Sequence, residues 1–192
     1  MGTKIVALLA IIGGLGLTVA AVPFVSAWVA NPAAHPWDMH TDLVGGAVVI
    51  LIGQAALIAL SLSLGGLGPI LASRYDSPIG IVAEIGAFGG VAGLLLADVG
   101  VLGAGLALFL LPGASAVVVV YMARIHAAHW SLAVIHAAAA AAFFVLLPAM
   151  AANTPIGYAA IFILGYPISW IAVGLELLGG LPRPRPAIPS AS

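Results

Sequence analysis

KIVALLAIIGGLGLTVAAVPFVSAWV, residues 4–29, holds one charge, Lys4, followed by twenty-five residues without another. A helix rises about 1.5 Å per residue, so this stretch is long enough to cross the roughly 30 Å hydrocarbon layer of a membrane. Lys4, the apolar run and the small residues near Ala27 and Ala30 also have the outline of a secretory leader. The length of the run favours a retained first helix over a cleaved one. Gly13, Gly14 and Gly16 mark it for close packing against a neighbour, and Pro23 for a kink near its far end.

The rest of the chain repeats this pattern. Five further apolar segments cover about 41–64, 78–97, 101–124, 131–150 and 156–178, and 179–192 is a Pro-rich tail. Between 65 and 77 a run of Gly, Pro, Arg74 and Asp76 reads as a connecting loop. Pro78 suits the first turn of the third helix, Thr41 or Asp42 the N-cap of the second, and Pro112 predicts a kink in the fourth. The expected fold is an all-α integral membrane bundle of six crossings spanning residues 1–178.

Composition leads to the same class. Mean hydropathy is +1.26 and 6% of residues are charged, against about 25% in soluble domains. Net charge is −1, which leaves no basic patch for nucleic acid. There is no cysteine, which excludes disulfides, iron–sulfur clusters and thiolate metal sites. No phosphate loop, HExxH run or nucleophile–base motif occurs, so no catalytic activity of its own is expected.

The five cations set the orientation. With the N-terminus inside, Lys4, Arg74, Arg124, Arg183 and Arg185 all fall on the cytoplasmic side of six crossings. Both ends are then cytoplasmic, in the plasma membrane of a prokaryote. The GxxxG pairs Gly86/Gly90 and Gly89/Gly93, and the alanine run Ala137–Ala142, supply smooth faces for other integral membrane subunits. Most of the tryptophans and tyrosines, Trp170 and Tyr166 among them, read as an interfacial belt.

Two groups of residues carry possible chemistry. Glu84 lies six residues past Pro78 and His136 six past Trp130, which places both ~9 Å below the cytoplasmic boundary. Ionisable groups inside a bilayer are costly, and pairing lowers the cost. His126, His129 and Glu176 sit near the same face and complete a proposed inner cluster. That cluster admits a haem b held by His136 with His126 or His129, a quinone hydrogen-bonded to His136 and Glu84, a proton relay through the Glu84–His136 pair, or a plain structural bond between two helices. The second group is HPWDMHTD, residues 35–42, in which His35, Asp38, His40 and Asp42 are ligand types suited to zinc, copper or iron. Its spacing matches no known metal motif, and a solvated loop anchored by Trp37 is the simpler account. Gln54, Ser61 and Ser63 read as hydrogen-bonding groups between helices.

Small hydrophobic helices with scattered histidines resemble the small subunits of respiratory or other redox membrane complexes. That resemblance implies a subunit that is structural or supports electron transfer. Six crossings in a chain of this size also resemble small-solute channels of the urea and acetate type, without their signature residues. The readings carried forward are the complex subunit first, a channel or proton-coupled transporter using Glu84 and His136 second, and a metal-dependent membrane enzyme third.

Overall fold

A computed structural model describes residues 1–30, 46–96, 101–151 and 157–182. Among these residues the chain is all-helical: α1 Thr3–Ala30, α2 Gly46–Tyr75, α3 Ile79–Leu96, α4 Val101–Arg124, α5 Trp130–Ala151 and α6 Gly157–Leu178. Each helix packs against its neighbours in sequence, and α1 also packs against α6, so the six close into a ring.

The contacts run antiparallel around that ring. Gly13 faces Leu60 while Gly66 faces Met1 and Val6, so α1 and α2 run in opposite directions. Gly174 meets Ala7 and Ile11, and Gly14 meets Pro167 and Ile171, which fixes α1 against α6 in the same sense. Lys4, Arg74 and Arg124, the described cations, consequently share one end of the bundle.

The centre is filled. Leu60, Leu64, Leu67 and Leu71 of α2 form a fully buried seam with Val6, Leu111, Val118, Met122, Trp170, Val173 and Leu177. The outside is also apolar. Leu8, Ile12, Leu51, Leu62, Ile81, Phe88, Val117, Val134, Ile135 and Leu175 are all exposed, and every helix contributes to this surface. Two described stretches, Thr3–Pro23 and Leu51–Tyr75, are long and apolar enough to cross a membrane, and shorter apolar segments lie in the other four helices. That length and composition suit association with a membrane.

The main departure from the sequence reading is in α2. The glycine-rich run after Leu64 was expected to be a loop, but the helix continues through it to Tyr75, with Pro69 inside. Burial explains the difference. Leu67 and Leu71 extend the 4-3-4 spacing of Leu60 and Leu64 into the core, and that outweighs the weak helix propensity of the glycines. The glycines are packing sites. A Cβ on Gly68 would lie 2.8 Å from Ala83 Cβ and 3.0 Å from the Gly80 carbonyl oxygen.

The glycines of α3 are also used internally. Gly86 and Gly89 receive Ala114 and Leu110 of α4, and Gly90 sits on Ser61 of α2. Gly86, Gly89 and Gly90 therefore pack inside this bundle. Ala139, Ala140 and Ala142 of α5 are buried in the same way, while Ala138 and Ala141 stay exposed.

Candidate functional site

Among the described residues His136 is the most buried titratable group, with no exposed surface. It lies where α4, α5 and α6 meet. Its Nδ1 is 2.7 Å from Ser169 Oγ of α6, and its Nε2 is 3.0 Å from Ser115 Oγ of α4. Tyr166 and Trp170 wall the ring at centroid distances of 5.3 and 5.4 Å, with Trp170 almost perpendicular at 87°. The two aromatics were expected at the membrane interface. Instead, both are buried at this junction, where a large ring fills space beside the imidazole.

Each serine hydroxyl has a backbone acceptor as well as the ring. With the Ser169 proton on the Tyr166 carbonyl at 2.6 Å, Ser169 Oγ accepts from Nδ1–H of a neutral ring and Nε2 takes the Ser115 proton. The opposite tautomer, with Nε2–H donated to Ser115 and the Ser169 proton turned to Nδ1, satisfies the ring equally. Tyr166 Oη lies 3.0 Å from Ser115 Oγ. Ser115 has a second acceptor, the Pro112 carbonyl at 2.9 Å. A hydroxyl turned that way would leave both serine oxygens as acceptors, the arrangement an imidazolium needs.

The expected inner cluster does not assemble. Glu84 is exposed on α3, whereas both ring nitrogens of His136 are engaged by serines, so the Glu84–His136 pair is not formed. The physical reason is helix order: α4 stands between α3 and α5 in the ring, and Glu84 points away from the core that Ala83 and Gly86 enter. His126 is exposed with φ 60° and ends α4. The Ala127 amide reaches back to the Met122 carbonyl and the His126 amide to that of Ala123, a left-handed helix stop more often made by glycine. His129 is 83% exposed and stands 3.9 Å from Glu176, a surface contact of small energetic weight.

This geometry does not suit haem. Nε2 and Nδ1 of His136 are both engaged by serines inside a packed aromatic pocket, and the other two described histidines, His126 and His129, are exposed at helix ends. A quinone bridging His136 and Glu84 meets the same obstacle, because the two side chains do not share a site. Among the described residues no group of three or more His, Cys, Asp or Glu is placed to hold a metal. His35, Asp38, His40 and Asp42 lie outside the described residues.

Ser115, Ser169 and Tyr166 were missed as partners of His136. A depth argument could have found them. Ser115 is nine residues from the end of α4 and Ser169 nine from the end of α6, which puts both hydroxyls at a similar level, ~13 Å along their helices. Ser63 behaves as its sequence context suggested and donates to the Val6 carbonyl of α1 at 2.9 Å. At the charged end, Arg74 Nη2 and Tyr75 Oη hold the Leu181 and Pro182 carbonyls at 2.9 and 2.5 Å, which pins the segment after α6 onto the end of α2. Comparison of the chain with known protein families, with curated proteins and with solved structures gives no match.

Proposed function

We propose that this chain is a six-span, non-catalytic subunit of a larger prokaryotic plasma-membrane complex, with both ends cytoplasmic. The observation that carries this reading is the combination of a filled interior with an apolar exterior on all six helices. A channel or a relay needs a continuous polar path, and among the described residues the serines at His136 bond to the ring and to carbonyls of their own helices. Their role in this reading is to fasten α4, α5 and α6 in one register. With so little mass outside the helices, partners are met through helix faces, and a respiratory or other redox complex is the setting the scattered histidines suggest.

A second reading, proton-coupled transport, keeps one specific support: the Ser115 hydroxyl has two acceptors and so can accommodate a proton added to His136. It would have to proceed without Glu84 beside the imidazole.

Gentle extraction from native membranes, with size, bound chains and visible spectrum read on the same sample, tests the proposal. The expected result is a colourless protein that runs with other integral membrane chains. A stable, lone monomer would overturn the subunit reading and favour the transporter. A Soret band lost on His136→Leu would overturn the site geometry as well.

A further inference from the structure

Glu84 stands alone on an apolar helix face. On α3, Ile81, Ile85 and Phe88 flank it at positions −3, +1 and +4, and all three are exposed. Glu84 itself is exposed, and among the described residues it has no hydrogen-bond or ion-pair partner. Lys4 and Arg124 lie at helix ends, and the Arg74 guanidinium is held by the Leu181 carbonyl.

The carboxylate is five residues into α3, ~8 Å from its cytoplasmic start. A glutamate stem is too short to carry its charge back over that distance, unlike Lys or Arg. An acidic group at such depth costs a few kcal/mol when it faces lipid, about 2.5–3.5 at a helix centre. The cost falls if a cation meets it there. Beside this stripe, and sharing Phe88 with it, is a groove between α2 and α3 of about 560 Å³, lined by Leu62, Gly66, Pro69, Ala87 and Val91 among others. That volume is enough for a bulky apolar side chain.

We infer that the outer face of α3 is the docking surface for a transmembrane helix of a different chain. That helix presents Lys or Arg to Glu84 and a large apolar side chain to the groove beside Phe88. The inference rests on the subunit reading and names the face through which it operates. Gly86, Gly89 and Gly90 do not serve this purpose, since α2 and α4 already occupy them.

The test places a photo-crosslinking phenylalanine analogue at Phe88 and irradiates native membranes, with the joined peptide then sequenced. The expected peptide comes from another membrane chain and carries Lys or Arg within one helical turn of the crosslink. Glu84→Leu, on a residue exposed in the free chain, should leave thermal stability unchanged and cut crosslinking about tenfold or more, as expected when one partner of a desolvated charge pair is removed. Glu84→Lys should do the same and be rescued by changing the partner's cation to Glu. Crosslinks only to lipid, to a second copy, or to residues 183–192 of the same chain would overturn the inference, as would a yield indifferent to Glu84→Leu. If partners co-purify but crosslink only through other helices, this face is wrong and the subunit reading stands. If the extracted protein is alone, both fall.

Discussion

The two sides of the ring are held together by different means. Around α1, α2 and α3 the helices approach through glycine, and backbone meets backbone or small side chain: Gly13 on Leu60, Gly16 on Ala56, Gly68 on Gly80. Around α4, α5 and α6 the contact is a polar chain walled by aromatics, from Tyr166 through Ser115, His136 and Ser169. Neither side gains much from apolar surface leaving water if the surroundings are lipid. Packing and satisfied polar groups must then supply the specificity. The glycine side achieves this by shape, so it is intolerant of added volume. The histidine side achieves it by hydrogen bonds, so it is intolerant of a lost partner only where no second acceptor exists.

The contrast can be broken most strongly at Trp170. Truncation of a fully buried tryptophan creates a large void, and Trp170→Ala should cost ~3–5 kcal/mol of stability. Thermal or denaturant unfolding in mild detergent checks this, and an effect under 1 kcal/mol would show that the aromatic wall does not hold the junction.

Next comes shape on the opposite side. A methyl group at Gly90 collides with Ser61 Oγ, so Gly90→Ala should cost ~1–3 kcal/mol. Ser61 Oγ is buried without a hydrogen-bond partner. Ser61→Ala alone should therefore be neutral or mildly stabilising, and should restore most of the loss in the double variant. Strict additivity in that cycle would refute the steric account.

A smaller effect is expected at His136. In His136→Leu, Ser115 still has the Pro112 carbonyl and Ser169 the Tyr166 carbonyl, so no serine is stranded. The loss is about two membrane hydrogen bonds, ~1–2 kcal/mol. Ser115→Ala, which leaves Nε2 without a partner, should cost at least as much.

Ser63→Ala gives the smallest change. It removes the single bond from α2 to the Val6 carbonyl, at about 0.6 kcal/mol. A loss as large as that of His136→Leu would remove the distinction between the two sides.

The sequence made helices legible because apolar length is a one-dimensional signal, and rotation about the helix axis was hidden for the same reason. Nearly every face of every helix is apolar, so nothing in the pattern said that Ala83 points in and Glu84 out. Depth could be counted from the helix ends, and it set Glu84 and His136 at one level. It could not show that α4 lies between their helices. The run Gly65–Pro69 misled in another way. Local propensity marked a break, while the leucine spacing on either side, visible in the same residues, carried the helix through. His126 has the chemistry of a ligand, yet its place is set by a turn that needs a positive φ.

Closure of the ring has a consequence for how the protein is made. α1 leaves the ribosome before α6, yet one of its two contact faces, with Gly14 directed at Pro167 and Ile171, belongs to α6. That face must wait through the synthesis of four intervening helices. A nascent chain stalled before α6 would carry an open seam along α1 and an imidazole at position 136 still missing Ser169. Quality control would have two distinct marks by which to recognise an unfinished copy.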